Sequence, residues 1–394
     1  MLLARLLALI ALCAFATTPA QAGGPATFEE ALALAEAEDK PVVIDFFADW
    51  CGPCKRFTAD YEADAAAQSD FAEKAVLFKI DAEKGDGVGL AARFNVSAYP
   101  NFVAVNAEGV EIDRWVGYGD LDTWMEQVDA VAADPVTLRQ RVRRFRTEPT
   151  ADDGLKIGKN YDAQGLFGEA LAYFRRVQQL DPTAEGLGTE IFGAISSGAA
   201  RRGLYTGAEV VAAAEEALAG ANVSDETTRD IVYQVYQAAR GLDRIDLYVP
   251  FIERGLAATE GVTEPWPVMM RNNMLVHEAL YVKEDGALAF ARRKDAAPEG
   301  WADDPAQLNS IAWWCFENEV ALEEGQDLAQ RGVELAQDDG QKANILDTLA
   351  ELCNLAGDCG QALEYMRQAV ALAPDNEHFQ EQIERFEAIL AAQG

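Results

Sequence analysis

The spacing of apolar positions changes three times along the chain. Residues 6–16 form an unbroken apolar run behind Met1-Leu2-Leu3-Ala4-Arg5, followed by the small-x-small sequence Ala20-Gln21-Ala22. The run falls well short of the ~20 residues that span a bilayer, so residues 1–22 are expected to be a cleaved signal peptide that directs the chain to the periplasm or otherwise out of the cell. Cys13 follows Leu12, where a lipid-attachment site needs Gly or Ala, and it lies too early, so no lipid anchor is expected. From Thr27 to Ala35 a capping residue leads into apolar positions at helical spacing, and Pro41 stops that helix. Residues 42–47, Val-Val-Ile-Asp-Phe-Phe, read as a strand buried on both faces. Further strands are expected over 75–80, 101–105 and 111–116, with helices over 88–94 and 121–131 and a turn at Asn106-Ala107-Glu108-Gly109. Such an order describes an α/β layer arrangement. Beyond residue 152 strand-like runs almost vanish, alanine is abundant and the pattern is helical.

With the leader removed, about 370 residues remain, too many for one ordinary core, so at least two domains are expected. Acidic residues number 66 against 33 basic, a net charge of −33. That field repels nucleic acid and anionic membrane surfaces, which excludes nucleic acid as the main partner. Six cysteines are too few for a disulfide scaffold. The two histidines, His277 and His378, have no cysteines nearby at metal-ligand spacing, so zinc, haem and Ser-His-Asp chemistry find no support and no cofactor is called for.

The chemistry concentrates at Cys51-Gly52-Pro53-Cys54, directly after the first strand and at the expected start of a helix. Only a thiolate attacks a disulfide, and a helix N-terminus stabilises negative charge on Cys51, which makes it the candidate nucleophile. Cys54, one helical turn on, is placed to resolve the mixed disulfide. Gly52 and Pro53 allow a tight start to the helix. A static disulfide or half of a metal site is the alternative, and no second ligand pair supports the latter. Asp45, inside the apolar strand, should have a raised pKa and be able to exchange a proton.

The string Asp45-Phe46-Phe47-Ala48-Asp49-Trp50-Cys51-Gly52-Pro53-Cys54-Lys55, matched downstream by Tyr99-Pro100, resembles the active site of thioredoxin, and the likeness extends over residues 26–132. The resemblance implies that Asp45 deprotonates the resolving cysteine, that Pro100 is cis, and that Trp50, Gly52, Pro53, Tyr99 and Pro100 border the substrate groove. Tyr99, Asn101 and Phe47 depart from the family's usual residues. Lys79 lies two residues from where thioredoxins carry the lysine that tunes the buried aspartate, so that role is not transferred to it. The opening helix is similar to that of envelope thioredoxin-like domains.

The organisation expected is a signal peptide over 1–22, a thioredoxin-like domain over 23–134, a linker over 135–151 and a tetratricopeptide-like α-helical repeat region over 152–394. The fold class is thus an α/β thioredoxin fold followed by an all-α repeat domain. The linker holds Arg139, Arg141, Arg143, Arg144 and Arg146, expected to pack against the chain's own acidic surface rather than to dock a partner. Ile157, Gly158, Tyr161, Ala170, Phe174 and Pro182 fit one repeat; Leu349, Ala350, Ala362, Ala369 and Pro374 fit a second; Leu308, Ile311, Ala312, Ala329 and Ala336 form a looser copy. Stacked repeats give concave surfaces suited to polypeptide, with a structural cap as the alternative role. Cys353 and Cys359 are expected to form a structural disulfide across the turn between the last pair of helices, with a pair of buried thiols, or a second redox pair that the first domain reduces, as the alternatives. Cys315 is expected to be buried as a small apolar residue.

The function expected is a periplasmic thiol–disulfide oxidoreductase, a protein-disulfide reductase served by a membrane-embedded electron donor, with the repeats binding clients or partners. The alternatives are a repeat-based binding or co-chaperone module with the first domain as docking platform, or a disulfide oxidase or isomerase.

Overall fold

A computed structural model describes residues 24–220 and 223–393; the expected signal peptide and Cys13 lie outside them. The chain divides into two compact units at Glu190/Ile191.

In the first unit, α1 (Phe28–Glu38) precedes β1 (Val42–Phe47), α2 (Gly52–Ala63), α3 (Ala65–Lys74), β2 (Val76–Asp81), α4 (Asp86–Arg93), β3 (Asn101–Val105), β4 (Glu111–Val116) and α5 (Leu121–Ala133). The sheet order is β2-β1-β3-β4, with β1 parallel to β2 and antiparallel to β3, and β3 antiparallel to β4. This is the thioredoxin-like α/β fold. Asp64 ends α2 and caps α3, its carboxylate accepting from the N–H groups of Ala66 and Ala67.

Successive strand residues face opposite sides, and that parity sorts the core. Val42, Ile44 and Phe46 pack with Phe28, Phe78 and Phe94 on one side of the sheet. Val43 packs with Phe57, Phe71, Phe102 and Trp124 of the other. Asp45 has the parity of Val43 and therefore enters the side on which α2 lies.

The same unit continues through α6 (Leu138–Thr147), α7 (Ala151–Ala163) and α8 (Phe167–Leu180). The arginine-rich segment is α6; two of its arginines, Arg141 and Arg144, pair with the chain's own carboxylates, while Arg139, Arg143 and Arg146 are exposed. Arg141, 3% exposed, lies 3.0 Å from both Asp134 and Asp153, and Arg144 Nε donates to Asp153 at 2.6 Å. In α7, Asn160 donates to Glu111 of β4 at 2.9 Å, and Glu111 also holds the buried Arg114. The α7/α8 pair is tight enough to require glycine: a Cβ on Gly158 would overlap the Phe174 ring. Ile157, Ala170 and Phe174 are fully buried, as the repeat pattern expects.

The division between the units falls within α9 (Leu187–Arg202). The second unit is all helical: α10 (Gly207–Leu218), α11 (Asp225–Gly241), α12 (Ile252–Ala258), α13 (Pro265–His277), α14 (Gly286–Asp295), α15 (Pro305–Asn318), α16 (Leu322–Leu335), α17 (Asp339–Leu355), α18 (Cys359–Leu372) and α19 (Glu377–Gln393). Leu308, Ile311, Ala312 and Ala329 of α15/α16, and Leu349, Ala350, Ala362 and Ala369 of α17/α18, form the buried seams of repeat-like hairpins.

The disulfide expected between Cys353 and Cys359 is not formed: both are free, buried thiols, as is Cys315. Each side chain follows the core-facing stripe of its own helix, and Cys359 Sγ donates across to the Phe386 carbonyl of α19 at 3.4 Å. Burial pushes the Cys353 thiol up to about 11 and the Cys315 thiol up to about 12, which keeps both protonated and unreactive.

Candidate active site

The buried strand β1 runs out at Phe47, and Ala48, Asp49 and Trp50 carry the chain to α2, whose N-cap is Cys51. The Cys51 sulfur accepts from the Cys54 N–H at 3.1 Å, so the first nucleophile candidate is also the group that caps the helix. Pro53 fits the first turn because its missing N–H would have no partner there. Cys51 and Cys54 are joined by a disulfide, with Cα atoms 5.3 Å apart and both residues almost fully buried.

Asp45 is 1% exposed. Burial raises its pKa to about 7, the nearby Lys79 pulling the other way, and its Oδ1 has no hydrogen-bond partner. A carboxyl there is half protonated near neutrality, as a group that both takes and gives a proton needs to be. Lys79 Nζ lies 4.0 Å from Asp45 Oδ2 and donates to Thr58 of α2 at 2.8 Å. Counting offsets along the sequence passes over Lys79, yet the register pairs it directly with Asp45, on the side of the sheet that Asp45 occupies. Cys54, Thr58, Lys79 and Phe47 line one hollow of about 380 Å³ that opens the inner side of the cysteine pair.

On the outer side, Trp50 is 70% exposed and meets Tyr99 edge to face at 5.9 Å. Its indole N–H donates to Glu83 at 3.0 Å, which fixes the ring beside Tyr99. The Tyr99–Pro100 bond is cis, and the Pro100 carbonyl accepts from the Gly117 N–H at 2.9 Å. Ala48, Phe47 and Tyr99 pack around Cys51 and Cys54. The structure thus brings Cys51, Cys54, Asp45, Trp50, Gly52, Pro53, Tyr99 and Pro100 together and adds Glu83 and Lys79. Asn101, next to Pro100, is fully buried with both side-chain polar atoms unpartnered. Among the described residues no cluster of His, Cys, Asp and Glu could hold a metal ion, and no helix is long and apolar enough to cross a membrane.

A family profile described as thioredoxin matches residues 22–130. The H-type thioredoxin of Chlamydomonas reinhardtii is 37% identical over 92 residues, 23% of this chain and 76% of the relative. The mitochondrial thioredoxin of Mus musculus is 39% identical over 84 residues, 21% of this chain and 47% of the relative, so the match spans about half of that protein. Among solved structures, a candidate disulphide-isomerase from Bacteroides thetaiotaomicron is 38% identical, with 29% of this chain and 98% of that one covered and a TM-score of 0.26. PilF of Pseudomonas aeruginosa is 16% identical, with 60% of this chain and 96% of that one covered and a TM-score of 0.34. The capped cysteine pair, the buried aspartate behind it and the match to the Chlamydomonas protein place this chain, with its helical region following, in the thioredoxin family.

Proposed function

We infer that the protein is an exported thiol–disulfide oxidoreductase that reduces disulfides of protein clients, with the helical repeats recruiting the client. The observation that carries this reading is the Cys51–Cys54 disulfide at the head of α2 with the buried Asp45 behind it. In the reduced form the helix N-terminus favours the Cys51 thiolate, which attacks one client sulfur and expels the other as a thiolate that picks up a proton from water. Cys54 then loses its proton to the Asp45 carboxylate and attacks Cys51 Sγ. The second client sulfur leaves, and the Cys51–Cys54 disulfide is restored. Trp50, Tyr99 and Pro100 border the groove in which the client chain lies, and Gly52 and Pro53 leave its floor open.

Two electrons pass to the client in each cycle and must be returned. Thioredoxin sits at about −270 mV and the strong periplasmic oxidant at about −120 mV, so a thioredoxin-like pair in the periplasm stays oxidised without a supply. A dithiol donor embedded in the membrane would provide it. The leader-like pattern of residues 1–22 supports export, and the Gly-Pro pair between the cysteines supports the reducing direction.

The test is the reduction potential of the Cys51/Cys54 couple in the full-length mature protein, together with turnover of a disulfide-linked polypeptide. A value close to thioredoxin's and loss of turnover in Cys51→Ser support the reading, and Cys54→Ser should accumulate covalent client adducts on Cys51. Turnover that survives Cys51→Ser overturns the enzyme, whereas a potential of about −120 mV overturns only the direction.

A further inference from the structure

In the second unit, α11 and α13 enclose a cavity of about 260 Å³. Both helices present it with one stripe. Tyr233, Tyr236, Gln237 and Arg240 recur at three- and four-residue spacing on α11, and Trp266, Met269, Met270, Asn273 and His277 do so on α13. At the rim, Tyr233 and Trp266 meet edge to face at 5.2 Å. Trp266 is 46% exposed, Met269 48% and Tyr233 37%, a concentration of large apolar surface that water covers poorly. At the floor, Tyr236 packs on Tyr248 and on His277, each at 5.0 Å. A π-helical turn, Glu278–Val282, follows His277 directly, a distortion that collects at functional sites.

Charge narrows the occupant. The chain has twice as many acidic as basic residues, yet among the described residues no carboxylate lines this cavity. The full charge it holds is Arg240, whose guanidinium lies 5.8 Å from the Tyr236 ring and has no ion pair or side-chain hydrogen bond with another described residue. Burial, helped by Arg240, pushes the His277 pKa down to about 4, so the imidazole adds no second charge at neutral pH. Aromatic cages often take cations, but here Arg240 already occupies the cation position and repels another. The volume is below the roughly 300–1,000 Å³ of a site for a drug-sized ligand and suits one side chain. Tyrosine, tryptophan and methionine make adaptable contact surface for apolar groups.

We propose that this cavity docks client polypeptide, taking one aromatic side chain among Tyr233, Trp266 and Tyr236 and pairing a neighbouring carboxylate with Arg240. Gln237 and Asn273, which line the same cavity, would bond the backbone between the two. The proposal rests on the reading that the helical unit recruits clients and names the class of segment it recruits. Long-range repulsion from the acidic chain is screened beyond about 8 Å at physiological salt, so the local guanidinium decides the preference.

Fluorescence anisotropy on the full-length protein tests it, with short labelled peptides whose centre is Phe-Glu, Phe-Lys or Ala-Glu. Phe-Glu is expected to bind about tenfold tighter than either of the others. Arg240→Gln should bring Phe-Glu and Phe-Lys together, and Trp266→Ala should weaken both Phe peptides by about tenfold. Both side chains are exposed, so the variants keep the fold, which an unchanged melting temperature verifies. Equal or tighter binding of Phe-Lys, or binding indifferent to both substitutions, overturns the site. A second measurement separates this from the recruitment reading: a disulfide-bonded substrate with and without an appended Phe-Glu segment. A KM lowered by the segment in the native chain but not in Trp266→Ala supports both. Peptide binding without that fall in KM retains the pocket and overturns recruitment through it.

Discussion

Replacing Asp45 by asparagine removes a buried charge while keeping the side-chain shape, and linkage fixes how the effect depends on pH. The folded pKa, about 7, lies above the ordinary 3.8. Below pH 4 the carboxyl is neutral in both states, and the wild type and the Asp45→Asn variant differ by a constant. Between pH 4 and 7 the unfolded chain has released its proton while the folded chain still holds it, so the wild type loses about 1.4 kcal/mol of stability per pH unit relative to the variant. Above pH 7 the loss levels off at about 4 kcal/mol, roughly a thousandfold in the opening equilibrium of the sheet. Native-state hydrogen exchange read by mass spectrometry on peptides covering β1 and β3 isolates this unit from the helical one. Comparing the two proteins at each pH cancels the intrinsic exchange rate. The protection of these strands in Asp45→Asn relative to the wild type should rise from its value at pH 4 by up to about a thousandfold at pH 8. A difference that stays constant from pH 4 to 8 would refute the argument, because it would show that ionisation of Asp45 carries none of the cost.

Two further outcomes follow from contacts in the same unit. Lys79→Met removes the cation 4.0 Å from Asp45, so the Asp45 pKa should rise further and the pH profile of client reduction should move to the alkaline side, with little change in its maximum; an unmoved profile refutes the coupling. Gly158→Ala forces a Cβ into the Phe174 ring and should destabilise the α7/α8 pair by about 1–3 kcal/mol, read as lost exchange protection in those two helices.

The parts of the site that lie in one contiguous string are legible in the sequence alone. A buried strand, a tryptophan and a CxxC pair at a helix start specify their own geometry, because a strand end and a helix N-terminus leave few ways to connect them. The hairpins α7/α8 and α17/α18 are legible for a similar reason: paired small and large residues, such as Gly158 against Phe174, fix how closely two helices approach. Residues 183–304 are not, since short 3-10 turns at Ile245–Leu247 and Val249–Phe251 and the π turn after α13 reset the helical phase, and no fixed offset survives them. The aromatic cavity depends on two stripes that become one surface only when α11 and α13 face each other. Cys353 and Cys359 mislead because nearness in sequence is not nearness of sulfur: side-chain direction is set by the phase of each helix.

Lys79 shows which kind of sequence rule transfers between relatives. Judged by offset, it stands two residues from the place where the family keeps its lysine, and the role would be lost. On a strand, however, two residues is one full period, so a side chain displaced by two returns to the same side of the sheet. Phe78, one residue away, enters the opposite core, whereas Lys79 shares the side of Leu77 and is paired in register with Asp45. The constraint that the buried carboxylate imposes is therefore a cation on that side within a few ångströms, and strand parity satisfies it at more than one position. Thr58 of α2 completes the arrangement by accepting from Lys79 Nζ, which ties the charge to the helix that carries Cys54. A substitution that moved the lysine by one residue instead of two would put the ammonium among Phe28, Phe46 and Phe94 and leave Asp45 without its counter-charge.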